Sequence, residues 1–587
     1  MNQRGCRSVG IDLGTTYSSL AYLDGQLIPR VVADSSGRTV VPSAIFFDDE
    51  EILVGDLALQ HAKLRADRIV QFIKVHMGEP WRKGFNGHIH TPESLSAIIL
   101  RHLVQEAEPQ IGPISEAVIT VPAWFTEKRR RATQQAGEIA GLSVIGTLNE
   151  PMAATLAFGL YQTDREQNAV VYDLGGGTFD VTIVRLTPNQ LIELATEGNR
   201  QLGGRDWDQR LVDYVADDFY RVHRQHPRES PQAMQDLWLE CEQAKRQLSN
   251  RARAAVRLHA FGHDHIVEIT RAIFEEITED LLNATKLTTE LALQDAGINW
   301  KDISRVVLVG GSTLMPSVRD MLKRISGKPA DYGVNPVMAV ALGAALYGSL
   351  LETGEGLKQI VLSQQRDDPE TVGEPSAQQA ETTSYSSSDS DSRPILSFPQ
   401  EAGSASPPET ATGPRVRFVT AHGVGVKVRI GQRWRNQVLI PKNTAVPTSV
   451  AKRFTTIGSA APTQTLRIEV TQGNSDDVEM VETLGSGYIK GLPANEPPGQ
   501  PVDIEMQFDR QGRLHIHATY VNTGQELKFY LVVDGGLHEE EVHRHRKFLQ
   551  NATVFPRGDM SDYLAALAAE DENNDGETEM PPLHPID

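Results

Sequence analysis

Two spacings of apolar residues divide this chain. From residue 1 to about 362, β-branched runs such as AVITVPA (117–123) and RVVLVGG (305–311) alternate with stretches of helical period such as EKRRRATQQAGEIAGL (127–142) and MQDLWLECEQAKRQLS (234–249). Buried strands interleaved with amphipathic helices predict an α/β region. Between 363 and 414 both spacings stop. SQQRDDPETVGEPSAQQAETTSYSSSDSDSRP carries too little apolar surface to offset the entropy of ordering, which predicts a disordered tether. From 415 onward a period of two takes over. GVGVKVRI, QVLIPKN, TLRIEVTQ, PVDIEMQFD, RLHIHATYV and ELKFYLVV are short alternating strands separated by turns, and they predict a compact all-β module ending near 537. HEEEVHRHRKFLQ (538–550) reads as one short helix halted before Pro556, DYLAALAAE (562–570) as a second helical stretch, and EDENNDGETE (570–579) as an acidic tail. The expected divisions are 1–362, 363–414, 415–537 and 538–587.

Within the α/β region two segments share one pattern. IDLGTTYSSLAYL (11–23) and YDLGGGTFDVTIV (172–184) each run apolar strand, Asp, small turn, second alternating strand. Glycine lets a backbone approach a phosphate because no Cβ intervenes, and consecutive N–H groups in such a turn attract anions. The Asp that ends each first strand suits a hydrated Mg²⁺, a hard cation that prefers oxygen and retains water. Two such hairpins face to face would clamp a nucleotide tail from both sides.

Composition narrows the possibilities. A chain of 587 residues is too long for one core. Its formal net charge of -20, from 57 basic and 77 acidic residues, argues against general affinity for nucleic acid or anionic membranes. Cys6 and Cys241 are the only cysteines, which excludes a disulfide framework and a Cys-rich metal site. The start, MNQRGCRSVGIDLG, has no apolar signal core, and no run is long enough to span a bilayer, so a cytoplasmic location is expected.

These segments together resemble the seventy-kilodalton heat-shock chaperones of the DnaK type, within the actin and sugar-kinase ATPase superfamily. The likeness covers residues 9–350 strongly and 419–545 weakly. It implies a two-lobed, ribonuclease-H-like α/β ATPase domain, a disordered tether and an all-β sandwich that binds peptide. It implies ATP or ADP with Mg²⁺ as cofactors, K⁺ as a further candidate, and unfolded or extended peptides as clients. J-domain co-chaperones and nucleotide-exchange factors are the implied protein partners; nucleic acid and membrane are not.

Matched residue by residue, IDLGTTYS gives Asp12, Gly14, Thr15 and Thr16, and DLGGGTFD gives Asp173, Gly175, Gly176, Gly177 and Thr178. QFIKVHMG places Lys74 at the family's catalytic lysine, and NEPMAATLAFG places Glu150 at its lobe-joining carboxylate. Asp12 and Asp173 would hold Mg²⁺, mostly through waters. Lys74, Glu150, Asp173 and Thr178 would carry the chemistry, since phosphoryl transfer needs charge neutralisation and an in-line water more than covalent help. ECEQAKRQLS puts Glu242, Lys245, Arg246 and Ser249 at the base and ribose, with Gly310, Gly311 and Ser312 of VLVGGSTLMP on the opposite side. VPAWFTEKRR puts Pro122 and Arg130 at positions that relay nucleotide state.

Several positions depart from the family pattern. Leu314 stands where an arginine usually stacks on adenine, which predicts weaker base stacking by about 0.5–2 kcal/mol. Val337 and Arg205 replace acidic residues near the pocket and at the cleft rim. Only one short helix and a weak second stretch stand where a long helical lid is usual, which predicts fast peptide exchange. The linker-like KQIVLSQQ (358–365) lacks the usual Asp and is separated by the tether from basic RVRF (415–418), so interdomain communication either persists through 360–362 or is lost. From Arg415 to Phe454 there are nine basic residues and no acidic one, with Trp434 among them. The preferred reading is a solvated strand face with Trp434 tucked against the sandwich; the other is a loop that favours acidic or aromatic client segments. Two other functions stay open at this point: a nucleotide-gated adaptor with weak or no hydrolysis, and a small-molecule kinase of the same superfamily.

Overall fold

A computed structural model describes residues 8–353, 415–530 and 537–554, apart from short stretches at 35–36, 50, 63–64, 160–164, 188–189, 332, 458–464, 491, 494–496 and 509–513. The tether, the linker-like 358–365, the helical stretch at 562–570, the acidic tail and Cys6 lie outside the described residues.

The first part is two lobes built on one plan. In the first lobe the hairpin Ser8–Asp12 and Tyr17–Leu23 is antiparallel, and Ser8–Asp12 pairs in parallel with Glu116–Val121, which pairs in parallel with Ser143–Asn149. In the second, Gln167–Leu174 and Phe179–Thr187 form the hairpin, and Gln167–Leu174 pairs in parallel with Ile303–Val309. The middles of these central strands are apolar on both faces because helices or the other layer cover both. Val170, Val171, Tyr172 and Val307 are fully buried. The expected helices form as Glu127–Ala140 and Pro231–Asn250.

The lobes are joined by two crossing helices, Glu150–Ala157 and Ala339–Thr353, which share a core with Val118, Val171 and Val309. Small residues bring them close. A Cβ added at Gly343 would lie 1.7 Å from the Ala153 carbonyl oxygen, so only glycine fits that crossing. The contact lies a short way along the same helix from Glu150, so lobe packing and the position of that carboxylate are set by one element.

The all-β part is a sandwich of two four-stranded antiparallel sheets. One holds Arg433–Ile440, Val424–Ile430, Thr465–Gln472 and Glu482–Lys490; the other holds Thr448–Thr455, Pro501–Phe508, Leu514–Tyr520 and Gln525–Tyr530. Strict alternation, as in the buried, half-buried succession of Leu514–Tyr520, turns Leu514, Ile516, Ala518 and Tyr520 into the shared core. Two strands lay outside the alternating runs read from the sequence. Glu482–Lys490 contains Gly485, Ser486 and Gly487, which lack the side-chain bulk that marks a strand. Thr448–Thr455 is mostly exposed, so its pattern is blurred.

Several contacts tie the halves together, among them Lys442 with Glu197 and Asp295, and the Glu127 N–H with Gln472 Oε1. Arg415–Arg417 adds in parallel to the edge strand Gln190–Asn199 of the second lobe. His422 Nε2 lies 2.7 Å from the Trp124 carbonyl oxygen. The terminal helix Glu539–Asn551 packs on the first lobe, where Leu549 and Val554 join the core, Phe548 lies against His88 and His90, and Arg82 pairs with Glu541. Among the described residues no helix is long and apolar enough to cross a membrane.

Candidate active site

Between the lobes lies a cleft of about 410 Å³. Every residue that the resemblance assigns to nucleotide, metal or chemistry lines it, except Gly177; Pro122 and Arg130 also lie outside it. The two turns meet at its floor. A Cβ on Gly176 would fall 2.2 Å from Thr16 Oγ1, and one on Gly177 would fall 2.6 Å from Thr15 Cγ2. Glycine in the second turn is therefore what lets the first turn approach.

At the centre, Lys74 Nζ donates to Glu150 Oε1 at 2.5 Å, with both residues buried. Phe72, two residues before the lysine, has φ 60°, in the left-handed region that a bulky residue seldom occupies. Its ring is covered by the Arg205 guanidinium 4.7 Å away, a cation from the other lobe that gives the arginine at the rim a structural task. Glu150 sits in the first turn of its helix, where the helix dipole favours a carboxylate.

Asp12, Glu150, Asp173 and Asp180 lie within electrostatic reach of one another and of one ammonium, Lys74. Burial, then the Glu150 charge, pushes Asp12 up to about 7. The same causes hold Asp173 and Asp180 well above the ordinary carboxylate range. Thr120 Oγ1 donates to Asp12 at 3.2 Å. Among the described residues no three carboxylates or imidazoles converge as direct ligands of one ion, but Asp12 and Asp173 both line the cleft and offer the oxygens that a water-retaining Mg²⁺ takes.

Toward the outer cleft, the spacing of Glu242, Lys245, Arg246 and Ser249 puts all four on one face of the helix Pro231–Asn250. Lys245 Nζ donates to Asp208 at 2.7 Å and to the Gly204 carbonyl at 2.9 Å. Burial pushes Asp208 up to about 6 while Lys245 draws it back. Ser312 Oγ donates to the Gly175 carbonyl at 3.0 Å, fastening the turn Gly311–Leu314 to the second glycine turn. Leu314 is 38% exposed in the cleft, and the Arg319 guanidinium beside it donates to its carbonyl oxygen at 3.0 Å.

Several residues of the cleft escaped the sequence reading, Tyr17, Asp208 and Arg319 among them. Tyr17 donates its phenol to Glu242 at 2.8 Å and accepts from Arg246 at 3.1 Å, bridging the lobes at the mouth. It directly follows the Thr15–Thr16 turn, and that adjacency was the available signal. Asp208, four residues after Gly204, sits one helical turn from the Gly pair and was legible as a partner for a lysine.

Arg130 lies behind the cleft. It donates to Asn149 Oδ1 at 2.7 Å and to the carbonyls of Ala123 and Phe125. Asn149 precedes Glu150, and the loop held by Arg130 includes Trp124, whose carbonyl meets His422 of the sandwich. Pro122 is buried at the start of that loop.

Comparison with known proteins gives a consistent answer. The model of a family described as Hsp70 protein matches residues 8–367 and 416–580. Among curated relatives, the "Chaperone protein DnaK" of two strains of Halobacterium salinarum is 37% identical over 544 residues, covering 91% of this chain and 76% of the relative.

Proposed function

We propose, from the premise that this chain belongs to the Hsp70 family and is an ATP-dependent chaperone of the DnaK type, how its parts divide the work. Residues 1–362 are assigned to the ATPase, 363–414 to a tether, 415–537 to peptide binding and 538–587 to a lid remnant and tail. ATP or ADP occupies the cleft. Backbone N–H groups of Thr15, Thr16 and Gly176 take the phosphates, while Gly14 and Gly175 shape the turns by donating to Ser18 Oγ and the Thr178 carbonyl, and Gly177 lets the two turns close. Asp12 and Asp173 hold Mg²⁺, largely through waters, and that ion would neutralise phosphate charge; K⁺ is the candidate second cation. Glu242, Lys245, Arg246 and Ser249 take the ribose and base from one side, and Gly310, Gly311 and Ser312 from the other.

Hydrolysis is assigned to Lys74 acting with Glu150, Asp173 and Thr178. Lys74 exchanges its Glu150 partner for the terminal phosphate, lowers the charge there and orients the attacking water. Glu150 then accepts a hydrogen bond from that water, and Thr178 and Thr15 donate hydroxyls to phosphate oxygens. The observation that carries this reading is the buried Lys74–Glu150 pair set between two phosphate turns in contact. Pro122 and Arg130 pass the position of the Glu150 helix to the Trp124 loop and so to His422. The sandwich takes an extended apolar segment by strand-like pairing. J-domain proteins and exchange factors are the expected co-chaperones, in the cytoplasm, without nucleic acid or membrane.

Single-turnover ATP hydrolysis tests this. The expected result is hydrolysis that quickens with unfolded peptide and falls by roughly 100-fold or more in Lys74→Ala. Hydrolysis indifferent to Lys74 would contradict it.

A further inference from the structure

The open end of the sandwich combines three features that neither half of the chain explains by packing. The first is an unfinished sheet. Val424–Ile430 pairs with Thr465–Gln472 only between Val424–Val426 and Val470–Gln472. Beyond that point residues 427–430 and 465–469 carry facing edges with no strand partner between them among the described residues. Unpaired backbone donors and acceptors on two diverging strands are a template for an extended chain.

The second is unburied apolar surface at that end. Trp434 is 48% exposed, Ile430 57% and Ile457 54%. Trp434 is therefore not tucked against the sandwich, which corrects the preferred expectation from sequence. The core is already closed by Val426, Ile468 and Val470, with Val428, Phe454 and Leu466 packed on it, and no inward position remains for the indole. Strand register instead sets Trp434 opposite Arg429, with Lys427 Nζ 5.6 Å from its ring centre, and Arg433 opposite Ile430 on the other face.

The third is charge left over after the local acids are used. Glu469 is shared by Lys427 at 3.0 Å and Arg467 at 3.4 Å; Arg435 takes Asp476, and Arg453 takes Asp503 at 2.6 Å. Among the described residues Arg429, Arg433 and Lys452 make no ion pair. One guanidinium without an ion pair stands beside exposed Ile430 on one face of the arm, and one beside Trp434 on the other, on a chain whose net charge is -20. The excess is local, and a planar guanidinium prefers a carboxylate.

We propose that this arm, Val424–Ile430 with Arg433–Ile440, selects extended client segments in which acidic side chains stand beside an apolar or aromatic residue. The proposal rests on the peptide-binding reading of the sandwich and deepens it by naming the client class. The backbone of the client pairs with the open edges, and its side chains alternate between the two faces of the arm: on one face they meet Ile430 and Arg433, on the other Trp434 and Arg429. On each face a carboxylate is held by one guanidinium, whereas a lysine at the same place meets a like charge.

Fluorescence anisotropy on the full chain tests it with two peptides of one apolar core, flanked by Asp and Glu in one and by Lys and Arg in the other. The acidic peptide is expected to bind about tenfold more tightly, with a gap that narrows as salt is raised. Arg429→Glu with Arg433→Glu should reverse the order, and Arg429→Lys with Arg433→Lys should keep it; unchanged melting of each variant certifies the fold. Equal affinities, or a preference for the basic peptide, would overturn the proposal and leave peptide binding standing. Binding of neither peptide would remove both. An acidic preference that emerges only after removal of residues 570–587 would overturn it in favour of self-occupancy by the acidic tail.

Discussion

The cleft and the open end of the sandwich treat charge in opposite ways. In the cleft, cations are buried and committed: Lys74 to Glu150, and Lys245 to Asp208 and the Gly204 carbonyl. At the sandwich end, Arg429 and Arg433 are exposed and make no ion pair among the described residues. A site for phosphoryl transfer benefits from dipoles and charges fixed before the substrate arrives, because in a dry pocket they need no reorganisation. A site that must take and release many sequences benefits from water-exposed groups, where each contact is worth little and exchanges quickly. The contrast teaches that substitutions should act as all-or-none in the cleft and as graded shifts on the arm.

The largest expected effect that sharpens this contrast comes from Lys245→Ala. It strands Asp208, a buried carboxylate whose Oδ1 already lacks a partner, and should lower the stability of the nucleotide-binding part by about 3 kcal/mol. Denaturant unfolding measures it. A change under about 0.5 kcal/mol would mean that the cleft tolerates unpaired charge as the arm does.

Next comes the terminal helix, which belongs to neither regime. His90 is buried among Phe47, Phe85 and Phe548, and burial, with His545 and His88 adding to it, holds it down to about 4. Burial lowers His545 also. A base with a depressed folded pKa is neutral when docked and takes its proton when released. Docking is therefore complete above the ordinary histidine value near 6.5 and weakens as pH falls from there toward 4. Glu541, paired with Arg82, is held below its usual value and adds to the loss at lower pH, while Glu93, raised by burial, opposes it. Amide exchange should show 539–551 losing protection near pH 5 before the strand Pro501–Phe508 does. Equal protection at both pH values would place this contact with the fixed pairs of the cleft.

The smallest expected effect is at Leu314. Leu314→Arg supplies a cationic plane to the adenine side and should tighten nucleotide binding by about 0.5–2 kcal/mol, measured by titration calorimetry. No change would mean that Arg246, over the Tyr17 ring at 5.4 Å, already covers the base.

Legibility in the sequence follows the same division. The cleft was readable because its chemistry is local: an Asp, a glycine turn and a strand are contiguous, and two copies mark two lobes. The helix Pro231–Asn250 was readable from its period, and its four cleft residues from their spacing. What pairs across the cleft was not, since Tyr17 meets Glu242 and Arg246 through the fold alone. The terminal helix was readable as an element, because His545 and Leu549 recur at a helical interval. Its partner was not, since an apolar stripe states that a face is buried and leaves open against what. Trp434 shows the reverse case. An aromatic residue within a strand is normally core, and only the prior closure of that core by shorter side chains left it outside.

The central claim is that nucleotide in the cleft governs peptide on the sandwich, through Arg130, the Trp124 loop and His422 and through the edge strand Arg415–Arg417. Its most direct test is the release rate of a fluorescent peptide from the full chain, followed by stopped flow as ATP is added. Coupling predicts release at least about tenfold faster with ATP than with ADP, a difference of roughly 1.4 kcal/mol between the two states. Identical release in the two nucleotides would contradict it and make the halves independent binding modules on one chain.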